Sequence, residues 1–309
     1  MKIVRVYKNS GLAGLFKTGG EKVLRGTGNK LVETANHLLK PGRLSRRDRE
    51  LLERNLAFKD KHSGQRCFIL ANGPSLAKQD ICPLGSEITF VANNFWRHEV
   101  LEEWQPTYYV LADPLLLAGS EQTNDLLRNI GSRVPNSTFF VRKNAVQIIS
   151  EQKLLPPEQV YYLAFAGRLM DTDLTYIDLT NYLPGPRNVG ILSVMLAIYM
   201  GCSPIYLMGF DHDWLAKRGV TGHFYRDAAG QGEPAAKPPS GFATWSYQDL
   251  MEHQLELWKG YDKLARLANE KGIRILNATN GGYLDVYERV NYEHVVGLPA
   301  TETQFDEPA

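Results

Sequence analysis

The chain's strongest constraint is a series of short apolar runs with no polar alternation, each closed by a tight polar turn. Cys67–Ala71, Glu87–Ala92, Thr107–Ala112 and Ser137–Val141 follow one another in this way, as do Pro204–Met208 and Ile273–Leu276. Alternation is the mark of a strand with one wet face, and its absence predicts strands buried on both faces of a parallel sheet. The stretches between the runs carry helical patterns, which predicts strand, turn and helix in repetition. The fold class expected is therefore α/β: an open, mostly parallel Rossmann-like sheet with helices on both faces. A small helical, basic N-terminal extension (residues 1–64) precedes it, with the sheet domain over 65–296 and a loose tail over 297–309.

The 309 residues are ample for a large core, and a net charge of +1 gives no global argument for nucleic acid. The three cysteines, Cys67, Cys82 and Cys202, lack metal-ligand spacing and read as reduced thiols. No run approaches the ~20 apolar residues of a membrane span. No signal-peptide core precedes Lys8, so the expected location is cytoplasmic, with the inner face of the membrane as an alternative. The extension holds a helix over Gly28–Leu39 and a second, charge-rich one from Ser45 to about Phe58. They form either a solvated surface or a peripheral docking face for anionic lipid.

The turns carry the functional signal. Asn72-Gly73-Pro74-Ser75 closes the first run with four turn-favouring residues and matches neither G-x-G-x-x-G nor the P-loop. Asn93-Asn94 closes the second run and Asp113-Pro114 the third. In a parallel sheet these ends share one edge, where open α/β folds hold ligands. Val160–Leu163 reads as an edge strand, followed by a Pro- and Gly-rich approach, Leu183–Asn188. Gly190–Met200 is almost wholly apolar and reads as a buried helix closed by Gly201. Its first-turn amides, with Arg187 and Asn188 just ahead, form a candidate anion site, although Asn188 also serves as a plain N-cap.

Asp211-His212-Asp213 closes the fifth central run, and its two aspartates are readable as a Mg²⁺ or Mn²⁺ pair if the strand continues through them. His223 lies in a Gly-flanked loop beside Tyr225, within a Gly- and Pro-rich lid over 215–246. His253 lies early in a long amphipathic helix expected over Tyr247–Lys271, with Leu250, Leu257, Tyr261, Leu264 and Ala268 on one face. Both histidines are candidates for a general base near neutral pH, and His212 has a weaker case.

In this order the motifs resemble the bacterial sialyltransferases of glycosyltransferase family 42 over about residues 66–280. They also resemble the broader domain shared by 6-hydroxymethylpterin pyrophosphokinase-like proteins and flagellin nonulosonate transferases. The family resemblance implies a transferase that moves a sugar, sialic-acid-like or another nonulosonate, from a nucleotide-sugar donor to a glycan or lipid-linked acceptor. The product would be surface polysaccharide. It implies nucleotide contacts at Asn72, Gly73, Pro74, Ser75, Asn93, Asn94 and Asp113, where the family carries Asn at the last position. The donor phosphate or sugar carboxylate falls to Arg187, Asn188 and Gly190, with Tyr225 as a lid tyrosine. His253 matches the family's catalytic histidine by position, whereas His223 fits the broader domain; Asp211 completes the catalytic candidates. No cofactor is implied for the transferase, no metal and no nucleic acid. Mg²⁺ belongs to the pyrophosphokinase alternative, and a non-catalytic nucleotide-binding scaffold is a third reading. A homo-oligomer is compatible with any of them.

Overall fold

The computed structural model describes residues 44–114, 117, 119–213, 215 and 246–299. The predicted helix Gly28–Leu39, the lid with His223 and Tyr225, and the end of the tail lie outside them. The described residues all belong to one compact unit that begins at Leu44.

Among the described residues nine strands form one sheet, every neighbouring pair parallel. They are β1 (Cys67–Leu70), β2 (Ile88–Ala92), β3 (Tyr108–Leu111), β4 (Thr138–Arg142), β5 (Val160–Arg168), β6 (Tyr182–Gly185), β7 (Ile205–Met208), β8 (Ile275–Asn277) and β9 (Glu288–Arg289). The spatial order is β6-β5-β4-β3-β2-β1-β7-β8-β9. The chain walks outward from β1 to β6, returns to lay β7 against the other side of β1, and walks outward again. The order thus reverses between β1 and β7, where the crossovers leave on opposite sides and a crevice opens at the carboxyl ends.

The longer helices are α1 (Arg46–Glu53), α2 (Glu121–Arg133), α3 (Val146–Gln152), α4 (Val189–Tyr199), α5 (Tyr247–Glu270) and α6 (Tyr292–Val296). Alternate residues of each strand feed two cores. Cys67, Ile69, Phe90, Val110 and Phe140 pack with α4 and α5. Phe68, Leu70, Val91, Leu111 and Phe139 pack with α2, α3 and Tyr292. Both faces of the sheet are therefore covered, which is why the strand sequences lack alternation.

Helix α4 is buried from Gly190 through Tyr199. Gly201, at φ +75°, ends it as the expected left-handed residue. The face expected of α5 is buried, and its start is fixed by a capping box between Ser246 and Asp249.

Several sequence expectations change. The β1–β2 and β2–β3 connections are short 3-10 helices, Pro74–Lys78, Cys82–Ser86, Asn93–Arg97 and Glu99–Glu102, rather than full helices. Pro74 and Pro83 sit at the start of two of them, where a missing N–H costs nothing. The helix begun at Arg46 tightens to 3-10 geometry over Arg54–Phe58. Val160–Leu163 is not an edge strand, because β6 pairs outside it. Pro184 and Gly185 disguise β6 in sequence, and an edge position is where a strand tolerates them. The run at Ile273–Leu276, the final strand expected from sequence, gives β8, and the two-residue β9 follows it.

Candidate functional site

The carboxyl ends of β1 and β7 are locked together at the reversal point. Asp211, just beyond β7, accepts from the Ser75 amide at 3.1 Å on one oxygen and from the Ser75 hydroxyl at 2.7 Å on the other. Both residues are buried. Gly73 lies against this pair: a Cβ there would stand 1.9 Å from Asp211 Oδ2 and 2.4 Å from the Gly209 carbonyl oxygen. Gly209, at φ +70°, repeats the fit from the other strand, where a Cβ would lie 2.6 Å from the Ala71 carbonyl oxygen. Two turns that touch backbone to backbone need glycine at each contact.

Beyond this lock, the strand ends line up. Asn72 donates from Nδ2 to the Ala92 carbonyl at 3.1 Å, joining the ends of β1 and β2. Asn93 takes a left-handed φ of 51°, and its carbonyl accepts from the Tyr109 hydroxyl at 2.6 Å. The side-chain oxygens of Asn72 and Asn93 are buried without a hydrogen-bond donor. Such an orphan is costly in a folded protein, and a ligand's hydroxyl or amino group would satisfy it. Asn94 follows within the same 3-10 turn, and Asp113 stands at the end of β3. The sequence expectation that Asn72, Asn93 and Asp113 share one edge holds.

Helix α4 aims its N-terminus at the same edge, since it packs antiparallel to the strands across the β1–β3 face. Asn188 caps it, accepting from the Ile191 amide at 2.8 Å. The Asn188 side-chain Nδ2 donates to the Tyr261 phenol oxygen at 3.1 Å, and Tyr261 shares a 3.0 Å hydrogen bond with His212 Nε2. The Tyr261 hydroxyl thus joins the cap of α4 to His212, with the donor between phenol and imidazole set by the His212 tautomer. Burial pulls the His212 pKa down to about 4, against the raising effect of Asp213. Gly190 permits this packing, because a Cβ there would stand 2.7 Å from the Phe210 ring and 3.1 Å from the Tyr261 hydroxyl.

His253, on the first half of α5, is buried beside this network. Its pKa falls to about 3, through burial first, then the charge of Arg187 and the mutual repulsion with His212 as both take up protons in acid. Arg187 forms a 3.0 Å ion pair with Glu256, which also stands 3.7 Å from Arg168. A pocket of about 170 Å³ opens there, floored by Gly167, Gly185 and Gly260 and walled by Arg168, Arg187 and Glu256. The β5–β6 register breaks between Phe165 and Arg168, beside this pocket, and such irregularities accompany functional edges.

The structure thus gathers Asn72, Gly73, Pro74, Ser75, Asn93, Asn94, Asp113, Arg187, Asn188, Gly190, Asp211 and His253 along one edge. His223 and Tyr225 lie outside the described residues. Asp211 is engaged on both oxygens by Ser75, a turn-locking role the sequence did not suggest. The strand ends before it, so Asp211 and Asp213 do not continue a strand as the metal reading requires. Among the described residues no three His, Cys, Asp or Glu side chains gather to hold a metal. Sequence reasoning placed Tyr261 in the core and His212 among the weak candidates. The signal that they belong together is tertiary, a contact between β7 and α5.

No family model matches the chain, and no curated protein matches it. Among solved structures, the chain is similar to the sialyltransferase CstII from Campylobacter jejuni in complex with the substrate analogue CMP-3FNeuAc. That likeness has 14% identity and a TM-score of 0.46, over 73% of this chain and 86% of that one. A second structure of CstII, with cytidine-5'-monophosphate, gives 14% identity and a TM-score of 0.45, covering 74% and 85%. A third, with a trisaccharide acceptor and CMP, gives 15% identity and a TM-score of 0.44, covering 73% and 86%. These comparisons lend no support to the pyrophosphokinase or flagellin-transferase likeness.

Proposed function

We propose that the chain is a glycosyltransferase that moves a sugar from a nucleotide-sugar donor to a glycan acceptor. The observation that carries the reading is the reversal-point crevice, where a locked Asn-Gly-Pro-Ser turn with orphaned amide oxygens stands beside the capped N-terminus of α4 and a buried neutral histidine. The motif order read from the sequence supports the same reaction. In this account Asn72, Asn93 and Asp113 hold the nucleoside, and Gly73 and Ser75 form the wall on which it rests. The first-turn amides of α4 and the guanidinium of Arg187 receive the phosphate and stabilise the charge that grows on it as the sugar departs.

His253 takes the proton of the attacking acceptor hydroxyl. A base must be unprotonated before reaction, as the lowered pKa of His253 ensures, and the donor phosphate bound beside it raises the basicity that proton transfer needs. His212 has its Nε2 occupied by Tyr261 and acts by position, tying the β7 turn to the cap of α4. Asp211 likewise acts through the turn it locks. The reaction as drawn uses no metal and no cofactor beyond the donor.

The test is turnover of a panel of nucleotide sugars, with and without chelator, by wild type and His253→Ala. The reading expects donor-dependent transfer that survives chelation and is lost in His253→Ala while nucleotide binding persists. Full turnover in His253→Ala removes the assigned base. Turnover that vanishes in excess chelator contradicts a metal-free transfer, and binding without turnover of any donor favours the scaffold.

A further inference from the structure

The row of polar side chains at the strand ends does not stop at Asp113. Arg142 closes β4, the next strand, so Asn72, Asn93, Asp113 and Arg142 occupy the ends of four neighbouring strands. Three strand spacings place the two ends of this row roughly 14 Å apart, which is longer than one nucleoside needs. Arg142 pairs in register with Leu163 of β5 and has the parity of Phe140. Both neighbours belong to the core under α4 and α5, so the Arg142 side chain stands on the sheet face that carries the α4 N-terminus.

Its surroundings are those of a binding group rather than a surface charge. The guanidinium lies 4.9 Å above the Phe165 ring and is partly buried. Burial lowers its pKa, with Asp113 opposing as the nearby carboxylate. Among the described residues no carboxylate comes within ion-pair distance of it, whereas Lys143 beside it is paired with Asp48 at 2.6 Å. A guanidinium stacked on an aromatic ring keeps its planar donor edge available, and that edge matches a carboxylate or phosphate.

We propose that Arg142 is a specificity-determining residue that reads a second ligand oxyanion, a carboxylate or phosphate distinct from the phosphate at α4. This rests on the glycosyltransferase reading, which places the first oxyanion beside Arg187. The second oxyanion belongs to the saccharide lying toward β4, on the donor's sugar or on the acceptor.

The experiment measures calorimetric binding to wild type, Arg142→Gln and Arg142→Lys. The ligands are CMP, CMP linked to an acidic sugar, oligosaccharides ending in an acidic or a phosphorylated sugar, and the neutral methyl ester of the acidic one. The expected result is that Arg142→Gln binds CMP and the methyl ester as wild type does. It loses about 10- to 100-fold in affinity for one charged saccharide, the scale of a charge-assisted hydrogen bond. Arg142→Lys falls between the two. The charged ligand that responds tells the donor from the acceptor and the carboxylate from the phosphate. Equal affinities for every ligand in wild type and Arg142→Gln, or a loss already present with CMP alone, overturn the proposal. So does a wild type that binds no charged saccharide better than the neutral ester. If wild type binds no CMP yet distinguishes acid from ester through Arg142, the nucleotide assignment fails and the Arg142 assignment stands. Arg142→Lys decides the question by itself if Arg142→Gln does not fold, because it retains the charge and loses the fork: a reduced acid-to-ester preference supports the proposal, and full retention contradicts it.

Discussion

Replacing Gly73 by alanine tests the lock at the reversal point in one atom. The backbone at Gly73 is ordinary, with φ −64° and ψ 152°, so an alanine meets no torsional penalty. The whole cost is steric. The new methyl would stand 1.9 Å from Asp211 Oδ2, 2.4 Å from the Gly209 carbonyl oxygen and 2.8 Å from Asp211 Cγ. Two of these obstacles are close-packed polar groups, and one is main chain of the neighbouring turn, so relief requires the turns after β1 and β7 to part. Parting them breaks the bonds from Ser75 to the Asp211 carboxylate. Overpacking costs about 1–3 kcal/mol, and losing a hydrogen bond to a charged, buried acceptor costs about 1.5–3 kcal/mol. The expected destabilisation is therefore about 3–5 kcal/mol, a large share of the ~5–15 kcal/mol that holds a domain folded. Urea unfolding followed by tryptophan fluorescence measures it. Asp211→Gly alone removes the carboxylate, and the double variant Gly73→Ala/Asp211→Gly removes the closest clash. The two changes should therefore couple, with the double variant less destabilised than the sum of the singles by about 1 kcal/mol or more. Additive singles, or a Gly73→Ala protein as stable as wild type, would refute the reasoning that Gly73 is fixed by contact with Asp211.

Three further outcomes follow from the site. Tyr261→Phe removes the hydroxyl joining Asn188 and His212, and should cost about 0.5–1.5 kcal/mol while weakening phosphate binding, measurable by denaturation and calorimetry. Asn188→Ala leaves the first turn of α4 uncapped and should cost about 0.5–2 kcal/mol. Its effect on binding should appear with CMP but not with cytidine. His212 and His253 are neutral in the fold with pKa values of about 4 and about 3, below their ordinary value of 6.5. The unfolded chain therefore binds protons that the fold refuses, and stability falls as pH drops from 6.5 toward 4, while above 6.5 these groups exert no effect. Each histidine contributes a slope of about 1.4 kcal/mol per pH unit in that window. His253→Gln should flatten the acid side of the stability curve, and an unchanged curve would contradict the buried neutral assignment.

Much of the sheet was legible in the sequence because doubly covered parallel strands leave an unmistakable trace: apolar residues on both faces. Cys67–Leu70, Ile88–Ala92 and Ile205–Met208 announce themselves in this way, and the polar turns after them mark the binding edge. Strand β6 was hidden because an edge strand needs no second apolar face and tolerates Pro184 and Gly185. Strand β9 was hidden because two residues carry no period. The β1–β2 connection is split into two 3-10 turns, each with a proline at its start, Pro74 and Pro83, in place of one α-helix. At the site, Asn72, Asn93 and Asp113 follow from topology alone. The bond from Ser75 to Asp211 spans 136 residues, and the link through Asn188, Tyr261 and His212 joins three elements. No local pattern encodes such contacts. Tyr261 illustrates the difficulty: its spacing with Leu257 and Leu264 places it correctly in the core, and only its hydroxyl gives it a second role.

The central claim is that the crevice between β1 and β7 binds a nucleotide, and a thermal-shift titration of wild type beside Asn72→Ala tests it most directly. Cytidine, uridine, guanosine and adenosine nucleotides and their sugar conjugates supply the ligands. A ligand at 100 times its Kd stabilises the fold by about 2.7 kcal/mol, which for a domain of this size raises Tm by about 5–10 °C. The account predicts a shift of that size for one nucleotide series in wild type, with half-saturation moved to higher concentration in Asn72→Ala. No shift with any nucleotide, or one that Asn72→Ala leaves unchanged, would contradict it.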